Sequence, residues 1–245
     1  MPDTEHSHDP EDIRARLQGG PSVNYLRDWI YGGIDGAVTT FAVVAGVVGA
    51  NLGTGVLLVL GFANLVADGF SMAASNYSGT KADADDYKRL RQIEARHIRQ
   101  HPEGELEEMR QIFAAKGFSG DELEQIVALL SKHEDVLLDT MVSEEYGLTP
   151  VQRSPLLAAL ATFAAFIVCG AIPLLPFLFG MASSAMAASV MTGVVFFLIG
   201  AAKSRWSTQS WYVSGLETLA IGMAAAGLAF AVGTALQGLA GGAGL

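Results

Sequence analysis

The sequence predicts an all-α polytopic membrane protein: five transmembrane helices, with a charged helical domain inserted between the second and the third. Three observations predict it. The 245-residue chain is 51% hydrophobic, yet residues 29–79 and 156–236 hold very few charges. About 20 apolar residues suffice for a helix to cross the hydrocarbon core of a bilayer. Five such segments occur, at 29–50, 56–77, 156–179, 185–202 and 211–235. Between the second and third, residues 81–150 carry 16 of the 25 carboxylates. The corresponding boundaries are a tail over 1–27, two spans in 28–79, the insert over 80–153 and three spans in 154–245.

The tail is polar and acidic, without the apolar stretch of a signal peptide. Its composition is that of a flexible segment, although Glu5, His6 and His8 offer metal donors. Span one is rich in glycine and alanine. Gly32 and Gly36 lie four apart, a spacing that lets membrane helices approach closely, and they bracket Asp35. Span two holds Asp68 in its second half, near Asn64, Ser71, Met72 and Asn76. Met72 follows Asp68 by four residues, so both face the same way on a helix. A carboxylate deep in a span costs on the order of 3 kcal/mol to insert, which makes Asp35 and Asp68 candidates for a translocation pathway. Glu217, early in span five, is only one to two turns from Trp211 and reads as an interfacial residue. Thioether beside carboxylate suits borderline transition metals better than calcium or magnesium.

The insert reads as helices. Tyr87, Leu90 and Ile93 form one apolar stripe, and His101-Pro102 interrupts it, because proline removes a backbone donor and disfavours helix before it. Leu106, Met109 and Ile112 form the next, ended by Gly117. Ser119 followed by Glu122 is a capping-box signature. A third stripe runs through Leu123, Ile126, Leu130, Leu137 and Met141 and is stopped by Gly147 and Pro150. Paired acids flank these stripes. Glu94 and His97 are three apart, as are Glu105 and Glu108, and Met141 and Glu145 are four apart. On helices each spacing puts a pair on one face. Glu145 also takes the next place on the third stripe, where an apolar residue is due; an acid there needs a partner. A metal held by Glu, His and Met side chains would supply one.

Basic residues give an orientation. All 15 Lys and Arg fall in the tail, in the insert with its flanks, or between spans four and five. An odd number of spans puts those segments on one side, which the positive-inside rule makes cytoplasmic. Trp29, Tyr31, Trp206, Trp211 and Tyr212 lie at span boundaries, where aromatic belts form. The net charge of −10 and the lack of a basic patch disfavour nucleic acid. Cys169, the single cysteine, excludes an intrachain disulfide.

Taken together, YGGIDGAVTTFAVVAGVVGA in span one, GFANLVADGFSMAASNYSG in span two, GAIPLLPF at 170–177 and GLETLAIG at 215–222 resemble the vacuolar iron transporter family. The resemblance covers nearly all of residues 28–235. It implies a homodimer that exchanges a divalent metal for protons and moves it out of the cytoplasm: a secondary active transporter and not an enzyme. It implies no permanently bound cofactor, with Fe²⁺ as substrate and Mn²⁺, Co²⁺ or Zn²⁺ as further candidates. The family's translocation aspartate falls on Asp35 and its pore methionine on Met72. Its cytoplasmic metal-binding positions fall on Glu94, His97, Glu105, Glu108, Met141, Val142 and Glu145. Three departures stand out: His97 where the resemblance leads to glutamate, Val142 where a second methionine is usual, and Ser75-Asn76 where Gly-Glu often stands. With no organellar targeting signal, the expected setting is a bacterial inner membrane, the vacuolar membrane being the alternative. A second class of function remains open on the residues alone. Glu94-x-x-His97 is the local motif of ferritin-like di-iron sites, which use two such motifs plus two further glutamates; it would make the chain a membrane-anchored iron store or ferroxidase. A third reading makes the insert a metal sensor and leaves the spans to another solute.

Overall fold

A computed structural model describes residues 7–18, 23–149 and 153–242, with side chains to 237. The described residues are helical, with no strand among them. In chain order the helices are α1 (Pro10–Gln18), α2 (Leu26–Gly49), α3 (Thr54–Gln100), α4 (Pro102–Ala115), α5 (Gly120–Leu130), α6 (Glu134–Tyr146), α7 (Pro155–Ala171), α8 (Leu175–Leu178), α9 (Ser184–Lys203) and α10 (Trp211–Gly242). Short 3₁₀ turns join α7 to α8 and follow α9. Glu5, His6 and Pro150 lie outside the described residues.

Hydropathy does not announce α1, which buries nothing. Glu11 and Asp12 in its first turn and Arg16 in its last complement the helix dipole. Five helical segments are long and apolar enough to cross a membrane: Leu26–Gly49, Thr54–Gln100, Pro155–Leu178, Ser184–Trp206 and Trp211–Gln237. The third is read correctly as one span, but Pro173 and Pro176 tighten its end from α-helix through a 3₁₀ turn into α8.

The chain divides into two compact units, one of residues 24–78 and 155–245, the other of 1–23 and 79–154. In the first, α2 packs along α7, α9 and α10. The Gly32–Gly36 spacing makes the approach to α7 possible. A Cβ on Gly32 would lie 2.2 Å from the Thr162 carbonyl oxygen, and one on Gly36 would lie 2.4 Å from that of Phe166. Gly170 answers from α7, where a Cβ would meet the Gly36 carbonyl oxygen at 2.7 Å. Below this ridge Phe41, Val44, Val47, Leu57, Leu65, Phe166 and Leu174 form the core. The outer faces stay apolar: Val59, Val66, Phe70, Val190 and Leu228 are all exposed, as a helix solvated by lipid allows.

In the second unit two small cores form. Met109, Val127, Leu137 and Met141 pack in one, and Tyr87, Leu138 and Val142 in the other. The helix breaks at His101-Pro102, as the sequence predicts, and α4 starts with Pro102 in its first turn. Gly117 (φ 100°) and Gly147 (φ 67°) supply the left-handed backbone that ends α4 and α6. Two expectations need correcting. The third stripe is not one helix: residues 131–133 turn between α5 and α6. Ser119 does occupy the cap of α5 with extended backbone, but its hydroxyl makes no capping hydrogen bond.

Candidate metal centre

The site is built around the break at His101-Pro102. Glu94 and His97 lie in the last turns of α3, and Glu105 and Glu108 in the first turns of α4. Each i, i+3 pair points one way, and the chain reversal brings the pairs together. His97 Nδ1 lies 3.6 Å from Glu94 Oε1 and 3.7 Å from Glu105 Oε1. Glu145, in the last turn of α6, joins Glu94 and Glu108 in a second group. Within the Glu94–His97–Glu105 group, and again within Glu94–Glu108–Glu145, donor atoms lie within 4.8 Å of one another. Glu94 belongs to both.

Burial divides these residues. Glu94 is fully buried and Glu105 is 6% exposed, whereas His97, Glu108 and Glu145 face solvent. The arrangement is a buried floor of two carboxylates with an open rim. One oxygen on each floor carboxylate, Glu94 Oε2 and Glu105 Oε2, is buried with no hydrogen-bond partner among the described residues. A buried carboxylate oxygen left unsatisfied is costly; a proton or a metal cation would each remove the cost. Burial, with Glu94 and Glu108 as neighbouring negative charges, pushes the Glu105 carboxyl up to about 7. Burial and the charges of Glu145 and Glu94 also raise Glu108.

The sequence expects the intruding acid at Glu145, but Glu145 is exposed and the intruder is Glu94. The buried stripe of α3 runs Tyr87, Leu90, Glu94, with Ile93 only partly covered. Periodicity alone favours isoleucine over its charged neighbour at a core position, and the tertiary contacts reverse that choice. Met141 is fully buried against Met109, Val127 and Leu137, one helical turn before Glu145. Val142 is likewise fully buried, in the neighbouring core. Tyr146 was not singled out from sequence. Its hydroxyl donates to Glu94 Oε1 at 2.9 Å, and burial with this bond raises the phenol pKa. The pairing spans 52 residues, and no local period signals it.

In the membrane unit Asp35 and Asp68 are both half-buried. Met72 lies one turn beyond Asp68 and packs against the core that holds Phe41 and Phe166. Asn64, one turn before Asp68, keeps a buried amide nitrogen without a hydrogen-bond partner among the described residues. The stripe Asn64, Asp68, Met72, Asn76 therefore forms a partly covered face of α3. Asn76 donates to Asp28 Oδ1 at 2.8 Å and to Thr162 Oγ1 at 2.7 Å. Asp28, only 2% exposed, is a second residue that sequence reading passed over, because it sits at a predicted boundary. Glu217 is half-exposed and 3.8 Å from Lys203 Nζ.

Comparison with known proteins adds the following. The model of the VIT family matches residues 26–234. The chain is 33% identical over 233 residues to a vacuolar iron transporter of Toxoplasma gondii, covering 88% of this chain and 76% of that one. It is 34% identical over 217 residues to vacuolar iron transporter 2 of Oryza sativa, covering 87% and 88%. It is 34% identical over 215 residues to vacuolar iron transporter 1 of Arabidopsis thaliana, covering 86% of each chain.

Proposed function

The chain belongs to the VIT family, and from that membership we propose that it is a proton-coupled antiporter exporting Fe²⁺, with Mn²⁺ as a second substrate, from the cytoplasm. The helical insert lies on the cytoplasmic side and collects the ion through Glu94, His97, Glu105, Glu108 and Glu145, with the Met141 thioether as a further donor. Asp35, Asp68 and Met72 carry the ion through the membrane unit, and the protein works as a homodimer. The observation that carries this reading is the convergence of α3, α4 and α6 on one acidic site whose buried floor holds two unpartnered carboxylate oxygens. The exposed His97, Glu108 and Glu145 would meet an ion from solvent ahead of the buried floor.

Carboxylate, imidazole and thioether together suit Fe²⁺ and its first-row neighbours. Coupling follows from competition: Asp35 binds metal as a carboxylate and releases it when a proton takes its place. The same acids in a ferritin-like enzyme would need a second Glu-x-x-His motif; the site has one, and five helices of membrane length favour transport. The test is metal flux into proteoliposomes with an imposed pH gradient and a panel of Fe²⁺, Mn²⁺, Co²⁺ and Zn²⁺. Flux should depend on the gradient and vanish in Asp35→Ala. Gradient-dependent flux that survives Asp35→Ala would sink the pathway assignment.

A further inference from the structure

We propose that Tyr146 is a positioning residue of the insert site: its hydroxyl anchors Glu94 by one oxygen and leaves the other to bind the ion. The inference rests on the reading of the insert as a metal site. Glu94 is the residue shared by both donor groups, and it is completely buried. A side chain so placed has no water to fix its orientation, so a protein group must do it. His97 Nδ1 at 3.6 Å from Glu94 Oε1 is beyond hydrogen-bond distance. The Tyr146 hydroxyl, at 2.9 Å from that same oxygen, is within it. The two oxygens of Glu94 therefore differ: Oε1 is held by the phenol, and Oε2 is buried and unpartnered. Tyr146 is also next in sequence to Glu145, which belongs to the second donor group. One side chain thus sets the carboxylate common to both groups.

Groups that orient a metal ligand typically contribute 10- to 100-fold in metal affinity. The experiment titrates the full-length protein in detergent with Co²⁺, following the visible d–d bands, in the wild type, Tyr146→Phe, Glu94→Gln and the double variant. Tyr146→Phe keeps the ring and its packing and removes only the donor. It should weaken Co²⁺ binding by about tenfold or more and alter the bands, with the thermal midpoint of the metal-free protein little changed. In the Glu94→Gln background the same substitution should have no further effect on affinity, because its route to the ion is gone. Glu94→Asp withdraws the carboxylate from the phenol by one methylene. It should reproduce the loss and be insensitive to Tyr146→Phe, which keeps the test usable if that variant alone folds poorly. Wild-type affinity and spectrum in Tyr146→Phe would overturn the inference and leave the metal site standing, as would an equal loss with or without Glu94. Binding that is unaffected by Glu94→Gln would overturn the metal site itself, and this inference with it.

Discussion

At the scale of the residue, Glu105 ties the stability of the insert to pH. Its folded carboxyl lies at about 7, above the ordinary value of 4.5. The folded insert therefore holds a proton that the unfolded chain gives up between those two values. A pKa raised on folding stabilises the protein fully below the unfolded value, and the stabilisation is lost as pH rises through the folded one. The metal-free protein should accordingly unfold at a lower temperature at pH 8 than at pH 6, and Glu105→Gln should flatten that difference. Metal binding has the opposite sense: the ion requires the carboxylate, so Co²⁺ affinity should rise from pH 6 to pH 8 with release of a proton. Thermal melts and titrations across that range check both, and a melting temperature that rises from pH 6 to pH 8 in the metal-free wild type would contradict the sign. Met141 poses a different question, because a buried methionine can pack and ligate at once. Met141→Leu nearly conserves volume and should cost less than about 1.5 kcal/mol of stability; reduced Co²⁺ affinity against that background then reports the sulfur. The candidate donors were legible in the sequence as i, i+3 and i, i+4 pairs. Which acid is buried was not, because Glu94 and Ile93 are neighbours and only packing against α6 decides between them.

At the scale of the element, the informative helices are α2 and α3. Close packing of α2 on α7 depends on missing side chains, and the glycine spacing made that approach readable in advance. Gly36→Ala would drive a methyl to 2.4 Å from the Phe166 carbonyl oxygen, which is backbone and cannot swing aside. Overpacking of this kind costs typically about 1–3 kcal/mol. Gly79, in the middle of α3, would meet nothing within 4 Å. There alanine should be neutral or stabilising by up to about 1 kcal/mol, the helix-propensity difference. Thermal unfolding of the two variants side by side measures the contrast, and equal midpoints would refute the close approach of α2 and α7. The continuity of α3 from Thr54 to Gln100 was less legible. Apolar content falls sharply after Tyr77, and a change of composition resembles a boundary, but Gly79 and Thr80 do not stop a helix whose flanks both favour one. Similarly, Leu130 and Leu137 keep a helical spacing across the turn that separates α5 from α6, so periodicity alone joined what the backbone divides.

At the scale of the whole molecule, the two units carry different parts of the proposed work, and kinetics should separate them. If the insert collects the ion and the spans move it, then weakening the insert site changes how much metal is needed, not how fast a loaded carrier turns over. Glu94→Gln removes the carboxylate shared by both donor groups, so the half-saturating Fe²⁺ concentration should rise by roughly tenfold or more, by the usual cost of a disturbed metal site. Maximal flux at high Fe²⁺ should stay near that of the wild type. Asp35→Ala acts in the membrane unit and should remove maximal flux at every Fe²⁺ concentration. An interaction used throughout the cycle would lower both parameters together, whereas one used only for capture shows in the concentration dependence alone. Initial rates in proteoliposomes, at fixed pH gradient and graded Fe²⁺, distinguish these cases. A Glu94→Gln variant whose maximal flux falls as far as that of Asp35→Ala would mean that the insert takes part in translocation itself and is not only a collector.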